Sequence, residues 1–129
     1  MLRSFHDGKL VAYEVSCEAR RIKLSIRPEG DETLQNAIFE GVQGYHFEQD
    51  AFGNIICALK EIPVANLLAD HGALIAEAYR MAGAPGPWAA DLATATEALV
   101  NSGVRGFELS SSYGLSGWIL AVDARVVSA

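Results

Sequence analysis

His46, Glu48 and Asp50 stand two residues apart, so on a β-strand all three side chains project from one face. An imidazole with two carboxylates is a donor set for a divalent transition ion, or an acid and base for hydrolysis. The plainer alternative is that Tyr45 and Phe47 face a core and the three polar groups are the wet side of that strand. His6-Asp7 is a second imidazole beside a carboxylate, a pair that also suits the start of a turn. The run Ser110-Ser-Ser-Tyr-Gly-Leu-Ser-Gly117 gathers hydroxyls next to glycines, yet its spacing is not that of a nucleophile elbow and no helix follows it. No Lys-Ser or Lys-Thr pair closes it as a phosphate loop either, so it reads as a hairpin turn. Trp88, after Pro87, is a ring that can stack on a ligand, but a buried anchor at a helix junction is the simpler role. No cofactor motif is present, and none is expected to bind.

The elements that must position these groups follow from the hydrophobic period. It is two up to about Glu61, about 3.6 from Val64 to about Ser102, and two again from Val104 to about Val127. Val11, Tyr13 and Val15 share one face of a first strand, and Ile22, Leu24 and Ile26 share one face of a second, against Arg21, Lys23, Ser25 and Arg27. Further strands are predicted near Asn36 to Glu40, Gly44 to Glu48 and Asn54 to Leu59. Pro63 ends the last of these and suits a helix start. The helical stretch is expected to be interrupted near His71-Gly72, with a rigid turn at Gly83 to Trp88. A second helix then runs from Ala89 to Ser102, capped by Gly103. A terminal hairpin turns at Ser111 to Gly114. The expected fold class is α+β: a mostly antiparallel sheet with two helices inserted before a C-terminal hairpin, in the order five strands, two helices, two strands, with both helices on one sheet face.

With 129 residues, half of them hydrophobic, the chain is read as a single domain over 1–129 that needs no metal or disulfide to fold. The longest apolar runs are far shorter than the roughly 20 residues of a membrane helix, and the start Met-Leu-Arg-Ser-Phe-His-Asp lacks the apolar core of a secretory signal. No membrane association and a cytoplasmic location are expected. Cys57, inside an apolar run, reads as a small core hydrophobe, and Cys17 as a free thiol. A net charge of −6 argues against nucleic acid as a partner and favours a basic protein if the partner is charged. Ile55, Cys57 and Leu59 against Ile56 and Ala58, like Trp118, Leu120 and Val122 against Ile119 and Ala121, put apolar residues on both faces of their strands. If the helices cover one face, a homodimer is the expected cover for the other; a sheet that curls upon itself is the competing answer.

Phe5-His6-Asp7, the segment Ile38-Phe39-Glu40-Gly41-Val42 and the closing Ser111-Ser-Tyr-Gly-Leu-Ser-Gly-Trp-Ile-Leu-Ala121 resemble those of small bacterial domains of unknown function, some of which are similar to immunity proteins of toxin systems. That resemblance implies a mixed sheet-and-helix fold and no established enzymatic activity, and it transfers no catalytic residue. The function expected is therefore a non-enzymatic interaction module, immunity-like in one form. The alternatives are a small-molecule or metal-binding domain, and a hydrolase using His46 with Glu48 or Asp50.

Overall fold

In the computed structural model, which describes residues 5–30, 33–81 and 92–129, the alternating segments form strands wherever one side of the alternation finds a common interior. β1 (Lys9–Ser16), β2 (Arg21–Arg27) and β3 (Gln35–Glu40) pair antiparallel, with Ile22 opposite Phe39 and Leu24 between Tyr13 and Ala37. β4 (Gly44–Glu48) and β5 (Asn54–Ile62) follow. Pro63 then ends the sheet, and its carbonyl accepts the Asn66 and Leu67 N–H groups at the first turn of α1 (Val64–Met81). That helix runs through His71-Gly72 without the expected interruption. The predicted turn at Gly83 to Trp88 lies outside the described residues. α2 (Leu92–Asn101) ends at Gly103, with the Val104 N–H bonded to the Leu99 carbonyl at 3.0 Å. β6 (Arg105–Tyr113), β7 (Ser116–Ala121) and β8 (Asp123–Ser128) complete the chain.

The eight strands form one antiparallel sheet in the order β4-β7-β6-β5-β1-β2-β3-β8. Its two ends are joined by the chain itself. Only Gly41 to Gln43 separate β3 from β4, and only Val122 separates β7 from β8. The Val122 N–H reaches the carbonyls of Glu40 at 3.1 Å and Gly41 at 3.3 Å, and the Gln43 N–H reaches that of Leu120 at 2.8 Å. These bonds carry one ladder from Gln35 opposite Ser128 to Glu48 opposite Ser116, so β3-β4 and β7-β8 are two long bent strands lying side by side. Gly41, at φ +64°, makes the bend and lets the Val122 side chain come within 3.0 Å of where a Cβ would stand. The sheet is a closed barrel.

Its interior takes one set of side chains from every strand except β8 and β4: Leu10, Ile22, Leu24, Ile26, Phe39, Ile56, Leu59, Phe107, Leu109 and Ile119 are all buried, with Phe47 of β4 and Val126 of β8 packed partly against them. A second cluster lies outside the wall, where Trp118 and Leu120 meet Val64, Leu67 and Leu68 of α1 and Ala95 and Leu99 of α2.

The expected α+β class, a mostly antiparallel sheet with both helices on one face, is thereby corrected. The fold is a small β-rich one, an eight-stranded antiparallel sheet with two helices attached to its outer face. The expected hairpin forms, with β6 antiparallel to β7, but it turns at Gly114-Leu115 because β6 continues through Ser111 to Tyr113, and Asp123 to Ser128 add a further strand on β3. Cys57 is not in the core. Two register shifts in β5 make it a bulge residue between Ile56 and Ala58, and it is exposed, as is Cys17. No helix among the described residues is long and apolar enough to cross a membrane.

Candidate functional site

On the outer face, α1 covers the end of the wall around Leu120 and leaves the rest of β4, β7 and β6 as the floor of a groove of about 510 Å³. Alternation decides what lines it. Tyr45 pairs with the inward Ile119, so His46 and Glu48 point outward, beside Trp118 and Ser116 on the neighbouring strand. On β6, Leu109 is inward and Glu108 and Ser110 are outward. His71 and Leu74 of α1 form the opposite wall; they continue the helical stripe begun by Leu67, at spacings of four and three. The His71 ring stacks on Trp118 at 6.1 Å between centroids and 29° between planes, and Trp118 itself is only 6% exposed. Gly117 allows β4 and β7 to lie close: a Cβ there would stand 1.8 Å from the His46 carbonyl oxygen.

His46 and Glu48 do come together. Nε2 of His46 lies 3.7 Å from a Glu48 carboxylate oxygen, with both side chains more than half exposed. Asp50 does not join them, because Gln49 adopts a left-handed conformation (φ +64°) that ends the alternation of the strand. Its carboxylate instead accepts the Asn54 side-chain amide at 2.9 Å, the Phe52 N–H at 2.8 Å and the Tyr13 hydroxyl at 2.9 Å. Those bonds, that from Asn54 first, hold the Asp50 carboxyl below its ordinary pKa, while donating to Asp50 raises that of the Tyr13 phenol. His6 is elsewhere, with Nδ1 on the Cys57 carbonyl at 2.9 Å and Nε2 3.4 Å from Asp7. The carbonyl first, and then the Asp7 charge, favour its protonated form and raise its pKa. Among the described residues no three histidine, cysteine or acidic groups are placed to hold a metal ion.

The groove thus contains one pair expected from the sequence and four groups that the strand reading did not assign to it: His71, Glu108, Ser110 and Ser116. The alternation of Glu108 with Phe107 and Leu109 and the helical spacing of His71 were visible, but which outer faces become neighbours is a matter of sheet order. Neither Glu48 nor Glu108 is ion-paired with a lysine or arginine among the described residues, although Lys60 stands opposite Glu108 in the ladder. Chemically the groove offers two carboxylates, two imidazoles and an aromatic stack, which suits a cation with a flat or apolar body. No family model, curated protein or solved structure matches the chain.

Proposed function

We propose that the chain is a non-enzymatic binding domain whose outer groove receives a basic group of a protein partner. The supporting observation is that Glu48 and Glu108 both line the groove beside the His71–Trp118 stack, neither of them ion-paired with an arginine or lysine among the described residues. The net charge of −6 adds long-range attraction for a basic partner. An immunity-like role, in which a basic toxin is the partner, is one form of this reading. We place the domain in the cytoplasm, where Cys17 and Cys57, both free and exposed, remain thiols.

An oligo-arginine peptide tests the reading by calorimetry. It should bind the parent protein and lose about tenfold in affinity in the variant carrying Glu48→Gln and Glu108→Gln. The pair Glu14→Gln and Glu18→Gln, outside the groove, should leave binding almost unchanged. Equal losses in both variants would reduce the effect to net charge and sink the proposal. The groove volume of about 510 Å³ also matches the size range of small-ligand sites, which favours a second reading in which a small aromatic cation is the ligand. Saturable binding of benzamidine, without binding of the peptide, would select it.

A further inference from the structure

The titratable groups of the groove are arranged around one residue, Trp118. In the ladders His46 of β4 stands opposite Trp118 on one side and Glu108 of β6 stands opposite it on the other, so the three side chains leave the same outer face on neighbouring strands. His71 of α1 lies on the Trp118 ring, 6.1 Å between centroids. Glu48 follows His46 by two residues, and one of its carboxylate oxygens is 3.7 Å from His46 Nε2, with both side chains more than half exposed. The two imidazoles thus share with the two carboxylates the space that a bound cation would enter. Among the described groove residues the only other titratable group is Tyr45 of β4, and Lys60 of β5 stands opposite Glu108. A tyrosine stays neutral and a lysine stays charged between about pH 5 and 8, whereas an imidazole changes its charge in that interval.

We propose that the groove is gated by pH: it takes its basic ligand while His46 and His71 are neutral and releases it when they gain charge. The inference rests on the groove being the cation site proposed above. With both rings neutral, the carboxylates of Glu48 and Glu108 act unopposed by the imidazoles. With both protonated, two positive charges offset them, and His46 becomes a salt-bridge partner of Glu48 in competition with the ligand. Affinity is therefore highest above the range in which the rings titrate and falls as pH is lowered through it. By the same linkage, a bound cation weakens proton binding by both rings.

Calorimetry with the oligo-arginine peptide at about pH 8 and about pH 5.5, at one ionic strength, tests the gating, since the guanidinium groups of the peptide stay charged at both. The parent should bind at least about tenfold more weakly at the lower pH, as two like charges a few ångströms away are worth even in a watery site. The double variant His46→Gln with His71→Gln should show a ratio below about threefold. His46→Gln alone, which leaves the ring on Trp118 in place, should fall between the two. His6→Gln is the control for net charge, because that imidazole is bound to the Cys57 carbonyl outside the groove, and it should keep the ratio of the parent. Equal affinity of the parent at the two pH values, a ratio that persists in both His46→Gln and the double variant, or its loss in His6→Gln would overturn the gating while leaving the cation site standing. Failure to bind at either pH would instead overturn the cation site, and the gating with it.

Discussion

Asp50 receives three hydrogen bonds, from Tyr13 of β1, Phe52 of its own loop and Asn54 of β5, and so fastens the loop after β4 to two other strands. Its folded pKa is lowered, so the stabilisation it provides is complete above the unfolded value of about 3.9 and is lost as pH falls through the lower folded value. Asp50→Ala should therefore lower Tm at neutral pH, and the gap between variant and parent should close below about pH 4; a gap independent of pH would show that the carboxylate charge is immaterial. Trp118 makes a stronger claim on stability. It is buried beneath His71 and against both helices, and Trp118→Ala should cost about 3–5 kcal/mol in urea unfolding followed by circular dichroism. A loss under about 1 kcal/mol would mean that the helices hold to the barrel without it. The burial of Trp118 and the outward direction of His46 and Glu48 were legible from alternation alone. The separation of Asp50 was not, since it turns on the single left-handed residue Gln49, and a non-glycine residue there carries no mark in the sequence.

At the scale of elements, the groove floor depends on how closely β4 approaches β7. Gly117→Ala would place a methyl group against the His46 carbonyl, backbone against which no rotamer change can help. It should destabilise the protein by about 1–3 kcal/mol and displace the amides of β4 and the groove ahead of all others. Gly53→Ala, where a Cβ meets nothing within 4 Å, is the control and should change little. Should the two behave alike, the close approach is not a constraint. The strands themselves were well marked: Ile22, Leu24 and Ile26 alternate with polar residues, and the structure buries all three in β2. The register shifts of β5 were not marked, and they are why Cys57 points outward. Nor was the continuity of α1 through Gly72, where tertiary packing of Leu67 and Leu68 outweighs the roughly 1 kcal/mol that glycine costs a helix.

For the molecule as a whole, closure covers much of both faces of the doubly apolar strands. Ile56 and Leu59 fill the barrel; Ile119 and Ala121 do the same, while Trp118 and Leu120 are covered by the helices. Of the residues that motivated a homodimer these are covered within one chain, whereas Cys57 and Val122 are exposed. Sedimentation at micromolar concentration tests the expected homodimer: a stable species near twice 13.8 kDa would support it, and a single species near 13.8 kDa would favour the self-covering sheet. Alternation could not reveal this, because a strand with two apolar faces reads the same in an open sandwich and in a barrel wall. The seam has a further consequence, for how the chain reaches this state. β3 and β8 bring together residues 93 positions apart in sequence, and such a contact forms only after a long loop has been closed. Until it forms, β3 offers an unpaired row of backbone donors and acceptors to any other chain nearby. Refolding yield should then fall as protein concentration rises while the unfolding rate stays constant, the mark of a competition between a molecule fastening itself and two molecules fastening each other.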